Sequence, residues 1–218
     1  MGHGSATRRQ VRDRSRIRLF ASQEGWAAWL EKNFLKSRGL WLRMAKKGSG
    51  LHSISYREAL DLAPCYGWIS GQAKSETDET WLARFVPRSP SSIWSKINRD
   101  RALALIERGE MKPAGLAAIE RARKSGRWER AYDSPSRAVV PPDLRAALDA
   151  NPRAKAFFES LDGANRYAVL FRIQTVQRPA TRAKKICQFV EMLGRNEKIH
   201  PSRKPLRSPR KRRSTGSR

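Results

Sequence analysis

The sequence has few of the features that support a disulfide-stabilised or membrane-embedded fold. Only two of its 218 residues are cysteine, Cys65 and Cys187, and they lie far apart in the chain. Each lies within an apolar pattern, which favours reduced, buried thiols in a cytosolic protein over a disulfide. The chain has no apolar run of about 18 residues, and no apolar segment follows its basic N-terminus. We therefore expect a soluble cytoplasmic protein without a membrane span or a signal peptide.

Motifs for hydrolysis, phosphate binding and metal binding are missing as well. Gly67–Gly71 reads GWISG, in which the serine lies one position too late for the G-x-S-x-G nucleophile motif. The segment Gly71–Ser75 lacks the glycine that precedes the lysine of a phosphate-binding loop. His52 is the only histidine away from the chain ends, and we expect it in an exposed loop. We accordingly expect no catalytic residues, no metal and no cofactor, and we regard an unrecognised enzyme as a remote alternative.

Negative charge is scarce, because 20 acidic residues face 46 lysines and arginines, which gives a net charge of +26. Much of this excess lies in residues 1–18 and 201–218, which we expect to be disordered basic ends. Such charge attracts nucleic acid without sequence preference, although a purely solubilising role explains it equally well. The nucleic-acid-binding alternative assigns phosphate contacts to Arg8, Arg9, Arg12, Arg203, Lys204, Arg210, Lys211, Arg212 and Arg213.

The first part of the chain, residues 19–130, has the pattern of an α+β domain. Leu19 and Phe20 read as a short opening strand, and apolar residues from Trp26 to Phe34 recur at the spacing of one helical face. Ser55 and Glu58 have the spacing of a capping box at a second helix. Two apolar runs flank the polar stretch KSETDE, which predicts a central β-hairpin over residues 66–86 in a small antiparallel sheet.

The second part of the chain is predicted to be a linker followed by helices. Residues 131–142 contain three prolines and form the expected linker. Asn151 followed by Pro152 is typical of a helix N-cap and first turn, and Gly194 has the position of a residue just after a helix. We therefore expect a three- or four-helix module over residues 143–200.

A candidate binding site follows from the residues at the end of the hairpin. Ser91 or Ser92 is the expected N-cap of a helix that begins IWSKIN, and Trp94 and Asn98 then lie one helical turn apart. A shallow corner at the helix N-terminus would accept an anion. The corner is lined by Trp68, Arg88, Ser92, Trp94, Lys96 and Asn98. The alternative is that Trp94 is an ordinary core residue and that the serines are only caps.

A series of motifs occurs in order between residues 20 and 200, including AWLEKN, LWLRMAKKGSG, SYREAL, CYGWISGQAKSETDETWLARFVPRSPSSIWSKIN and TRAKKI. Together they resemble the YdeI/OmpD-associated, bacteriocin-protection family of bacterial proteins. The family usually has an acid where Ser70 lies. The resemblance implies an α+β domain with a helical C-terminal module, and a role in resistance to bacteriocins or cationic antimicrobial peptides. It supplies no catalytic residues, so we expect a non-enzymatic cytoplasmic binding protein with a small anionic ligand or a protein partner.

Overall fold

The computed structural model describes residues 17–201. The chain divides into two compact units, Met1–Ser134 and Pro135–Arg218, and the division lies inside the expected linker. All the basic residues named above as nucleic-acid contacts lie outside the described residues. Ile17 and Arg18, which we expected in the disordered N-terminal arm, are part of the fold instead, because they form a strand.

The N-terminal unit confirms the expected α+β class and the hairpin. Its described strands form a four-stranded sheet in the order β1-β2-β4-β3. Strand β4 pairs antiparallel with both β2 and β3, whereas β1 runs parallel to β2, so the sheet is mixed and not purely antiparallel. The hairpin therefore contributes one inner strand and one edge strand of the described sheet. The strands are β1 (Ile17–Arg18), β2 (Leu40–Ala45), β3 (Trp68–Ser75) and β4 (Thr80–Pro87).

Local capping signals account for where the helices of this unit begin. Ser22 accepts a hydrogen bond from the backbone of Gly25, and Ser55 and Glu58 form the predicted capping box. A 3-10 helix, Ala63–Tyr66, follows the second helix directly and ends at Gly67, whose φ of 70° is left-handed. Within residues 17–134 the α-helices are α1 (Gln23–Asn33), α2 (Tyr56–Leu62), α3 (Lys96–Glu107) and α4 (Pro113–Lys124).

Helix α3 begins later than the sequence indicated, and the assignment of Ser91 or Ser92 as its cap is wrong. Ser95 is the N-cap, and its hydroxyl accepts a hydrogen bond from the backbone of Asn98 at 3.1 Å. The backbone around Ser95 is held extended by Tyr132, because the Tyr132 amide donates to the Trp94 carbonyl and the Lys96 amide donates to the Tyr132 carbonyl, both at 2.9 Å. A pairing with a residue so distant in sequence leaves no local signal.

Trp26 is the centre of an aromatic cluster that fixes α1 against the sheet. It is fully buried, and its ring centroid lies 6.3 Å from that of Trp68 and 5.6 Å from that of Phe85. Both indole N–H groups are satisfied, since Trp26 donates to the Ala59 carbonyl and Trp68 donates to the Phe34 carbonyl. Such aromatic contacts add to the stabilisation from apolar burial.

The C-terminal unit is helical, as expected. Asn151 caps its second helix by accepting a hydrogen bond from the Ala154 amide. The Asp143 carboxylate forms an ion pair with Arg182 at 2.6 Å, which ties the first helix of the unit to the last. Within residues 135–201 the helices are α5 (Pro142–Asp149), α6 (Pro152–Ser160), α7 (Gly163–Gln174) and α8 (Pro179–Gly194). None of the helices in the described part of the chain is both long and apolar enough to cross a membrane.

The two cysteines differ in environment. Both are free thiols, and Cys65 is buried as expected. Burial raises the pKa of the Cys65 thiol to about 11, so it stays protonated near neutral pH. Cys187 is exposed, and the expectation that it is buried is wrong. It follows Ile186 on α8, and neighbouring helical residues point in directions about 100° apart, so only Ile186 faces the core.

Candidate functional site

A cavity of about 260 Å³ lies in the N-terminal unit between α2, the 3-10 helix, β3 and the start of α3. Most of its wall is apolar or aromatic, with a few polar side chains among them, which is the usual composition of a small-molecule site. None of the described residues that line it is acidic. The apolar and aromatic residues are Tyr56, Leu60, Ala63, Pro64, Trp68, Ile69, Trp94 and Ile97, and the polar ones are Ser70, Arg88, Ser95, Asn98 and Arg101.

The cavity brings together four of the six residues that the sequence suggested, namely Trp68, Arg88, Trp94 and Asn98. Ser92 and Lys96 do not line it. The Ser92 hydroxyl lies 3.0 Å from the Ser89 hydroxyl in the turn before α3. The Lys96 ammonium forms an ion pair with Asp133 at 2.8 Å. Both side chains are therefore used elsewhere, and the candidate site is redefined as the residues that line the cavity.

Arg88 is the most unusual residue of this cavity. It follows the last residue of β4, and its backbone amide donates to the Gly67 carbonyl at 2.8 Å. The residue is only 9% exposed, and its guanidinium carbon lies 3.7 Å from the centroid of the Trp94 ring. Among residues 17–201 no carboxylate forms an ion pair with it. Burial lowers the pKa of Arg88 to about 10, so the group stays charged at neutral pH.

One edge of the Arg88 guanidinium is left available. Nη1 donates to the Ile93 carbonyl at 3.1 Å, and Nε and Nη2 have no hydrogen-bond partner in the described part of the chain. No fully buried side-chain nitrogen or oxygen lacks a partner among these residues. Nε and Nη2 are therefore not fully buried, and Arg88 is one of the residues that line the cavity. The residues that line the cavity thus include a guanidinium with two donors that have no protein partner within residues 17–201.

Trp94 belongs to the core and to the cavity at the same time. It is 4% exposed and packs edge-on against Trp128, with ring centroids 4.8 Å apart. Ile93 and Ile97 are the exposed pair of this segment. The interpretation of Trp94 as a core residue is thus correct. Its π-face nevertheless supports the Arg88 guanidinium, a favourable cation–π geometry.

Nine of the lining residues were not in the predicted corner, among them Arg101 and Tyr56. Arg101 forms an ion pair with Asp61 at 3.1 Å. A signal for it existed, because Arg101 lies three residues after Asn98 on the same helical face. Tyr56 reaches the cavity from α2, and its hydroxyl donates to the Ser70 hydroxyl at 2.9 Å. No sequence signal connects Tyr56 with Ser70, since the contact depends on how α2 packs against β3.

Within residues 17–201 the polar residues with catalytic potential form separate pairs. Ser70 bonds to Tyr56, and Asp61 pairs with Arg101. No hydrogen bond or ion pair within the described range joins either residue to His52, which lies in an exposed loop as expected. The arrangement brings a cation and an apolar surface together.

In the acidic turn of the hairpin, the Glu76 carboxylate is hydrogen-bonded to other side chains of the protein. Glu76 accepts hydrogen bonds from Arg43 at 2.6 and 2.8 Å and from the Thr80 hydroxyl at 3.0 Å. The Arg43 hydrogen bond lowers the pKa of Glu76. In the region from Ile17 to Pro201, no group of three or more His, Cys, Asp or Glu side chains is placed to hold a metal ion.

The fold defines an α+β domain with a cavity lined by a buried arginine, followed in the chain by a helical module. Residues 137–196, which make up most of the helical module, match the family described as "Bacteriocin-protection, YdeI or OmpD-Associated". The resemblance seen in the sequence is confirmed over that range.

The rest of the chain gives less direct information. Residues 18–118 match a domain of unknown function, DUF8412, and every residue that lines the cavity lies within this match. No curated protein and no solved structure is significantly similar to the chain. The candidate site therefore belongs to a domain whose function is not established.

Proposed function

We propose that the chain is a non-enzymatic binding protein that receives a small anionic group, or a carbonyl-bearing one, in the cavity beside Arg88. The observation that carries this proposal is the burial of Arg88 without a carboxylate partner. Removing a cation from water costs on the order of several kcal/mol unless other groups compensate for it. The Trp94 ring and the Ile93 carbonyl compensate in part. An anion on the free edge of Arg88 would supply the rest.

We also propose a biological role for the protein. We place the protein in the bacterial cytoplasm, where it takes part in resistance to bacteriocins or cationic antimicrobial peptides. The name of the family that residues 137–196 match supports this role. The free thiols of Cys65 and Cys187 support the compartment, because the cytosol keeps thiols reduced.

The substitution Arg88→Met tests the binding site. It keeps an unbranched side chain over Trp94 and removes the charge and the free N–H groups. Hydrogen bonds to charged groups contribute about 1.5–3 kcal/mol, so the affinity for a probe anion should fall at least tenfold. Isothermal titration calorimetry with 3-phenylpropanoate and with inorganic phosphate measures the effect on the full chain, and tryptophan fluorescence checks the fold.

Arg108→Met is the matched control, because Arg108 is exposed, pairs with Glu110 and does not line the cavity. It makes the same change in net charge and should leave binding unchanged. Bacteria that produce the Arg88→Met variant should survive a bacteriocin challenge less well than bacteria that produce wild type or Arg108→Met. Equal affinities of wild type and Arg88→Met for both probes would contradict the binding proposal. Equal survival would contradict the protective role.

The net charge of +26 favours a second candidate function, that of a nucleic-acid-associated protein. Deleting residues 1–16 and 202–218 removes the basic ends and leaves β1 intact, since β1 begins at Ile17. Binding through phosphate contacts is sensitive to salt, so the shortened chain should elute from immobilised DNA at a clearly lower salt concentration than wild type. Elution of both proteins at the same salt concentration would exclude the ends as the binding element.

A further inference from the structure

The free edge of Arg88 indicates the geometry of the group that it binds. Nε and Nη2, which lack partners in the described part of the chain, form the side of the guanidinium that donates two parallel hydrogen bonds. This fork matches the two oxygens of a carboxylate. The contact with the Trp94 ring and the bond from Nη1 to the Ile93 carbonyl hold the guanidinium in place. The donor pair is therefore positioned before any ligand arrives.

The charge of the cavity matches a monoanion. Two arginines line it, and one of them, Arg101, is already paired with Asp61. Arg88 is thus the one cation of the described wall without a carboxylate partner. A phosphate group carries about −1.5 to −2 charges and three acceptor oxygens, which exceeds what a single free fork satisfies. A carboxylate carries one charge and two oxygens.

The rest of the wall indicates what the carboxylate is attached to. Leu60, Ile69 and Trp68 give the cavity an apolar side, and Tyr56 and Ile97 lie at its exposed margin. Apolar surface of this kind is stabilised by covering it with an apolar group. A ligand that fills the cavity therefore presents a hydrophobic body as well as a charged end.

We infer that the cavity binds a monocarboxylate with an aromatic or branched aliphatic body, whose carboxylate accepts hydrogen bonds from Nε and Nη2 of Arg88. This inference rests on the proposed function and names the ligand class of the same site. A small free acid has this chemistry, and so has the C-terminal carboxylate of a peptide that ends in an apolar residue. The experiment distinguishes these two sources.

Titration calorimetry of the full chain compares probes that differ in one feature each. 3-Phenylpropanoate has both the carboxylate and the apolar body. 3-Phenylpropanamide has the body without the charge, and acetate has the carboxylate without the body. Inorganic phosphate replaces the carboxylate with a different anion. We expect 3-phenylpropanoate to bind at least tenfold more tightly than the other three. The tripeptide Gly-Gly-Phe, with a free or an amidated C-terminus, gives the peptide arm. If the free tripeptide binds more tightly than 3-phenylpropanoate, the natural ligand is the C-terminus of a peptide. If 3-phenylpropanoate binds more tightly, the natural ligand is a small free acid. Either result supports the inference.

Two variants connect binding to this geometry. Arg88→Lys keeps a cation but loses the fork, so the affinity for 3-phenylpropanoate should fall at least fivefold. Ile97→Asp changes only an exposed residue at the cavity margin, so it should fold even where a change at Arg88 does not. Both probes lose an apolar contact at this position, but the added charge repels only the acid, so binding of the acid should weaken more than binding of the amide.

Different results would contradict the carboxylate ligand and the proposed anion-binding site. If phosphate binds more tightly than 3-phenylpropanoate and this binding is lost in Arg88→Met, the carboxylate inference is overturned. The proposal of an anion-binding site at Arg88 is then still supported. Equal binding of the acid and its amide would overturn the inference as well. Absence of Arg88-dependent binding for every probe would overturn both the inference and the proposed function.

Discussion

Replacing Gly115 with alanine is expected to lower the free energy of unfolding of the N-terminal unit by about 3 kcal/mol. A Cβ atom on Gly115 would lie 2.5 Å from the carbonyl oxygen of Pro64 and 2.6 Å from that of Cys65, and would also meet the Met111 sulfur. The two oxygens belong to the backbone of the 3-10 helix, which cannot rotate away as a side chain does. The cost therefore lies at the upper end of what overpacking usually produces.

Tryptophan fluorescence during urea unfolding measures this effect in the full chain. All seven tryptophans, of which Trp128 is the last, belong to the N-terminal unit, so the signal reports that unit alone. With a slope of about 2 kcal/mol per molar urea, the midpoint should fall by about 1.5 M. The control is Gly71→Ala, because a Cβ atom there meets nothing within 4 Å. Equal midpoints for the two variants would contradict the close contact.

The same contact builds one wall of the candidate site. Ala63 and Pro64 of the 3-10 helix line the cavity, and α4 packs behind them through Gly115. Gly67 ends the 3-10 helix at a left-handed φ of 70°, and a Cβ atom there would lie 3.0 Å from the Ala114 carbonyl oxygen. Gly67 also accepts the backbone hydrogen bond of Arg88. Two small residues thus set the distance between α4 and the segment that positions Arg88.

The features that could be predicted from the sequence are those whose signal is local. Ser55 and Glu58 lie three residues apart, and their capping box forms as expected. The stretch KSETDE separates two apolar runs and contains the turn that connects β3 to β4. In both cases the residues that make the structure are close together in the chain, so spacing and composition were sufficient.

The features that the sequence did not reveal depend on distant residues. Tyr132 holds Ser95 extended and delays the start of α3, and β1 pairs with β2 in parallel across α1. Ser92 and Lys96 were in the predicted corner but do not line the cavity, and their side chains contact Ser89 and Asp133 instead. The burial of Arg88 against Trp94 likewise follows from tertiary packing and has no signature in spacing or composition.

The substitution Trp26→Ala is expected to have the largest effect on the stability of the N-terminal unit, a loss of about 4 kcal/mol. Trp26 is fully buried and contacts the rings of Phe20, Trp29, Trp68 and Phe85. Its removal leaves a large cavity and takes away one of the two hydrogen bonds to the Ala59 carbonyl, which still accepts from the Ala63 amide. Urea unfolding followed by the remaining tryptophans measures the loss.

Trp29→Ala is the matched comparison, because Trp29 lies on the same helix and stacks on Trp26 at 5.4 Å but is only half-buried. Less buried apolar area is lost at this position, so the decrease in the free energy of unfolding should be about half of that expected for Trp26→Ala. Trp26 also supports Trp68, which lines the cavity, so the larger loss should coincide with weaker binding of 3-phenylpropanoate. Equal destabilisation by the two substitutions would mean that the total aromatic area, and not the buried position of Trp26, stabilises the cluster that supports the site.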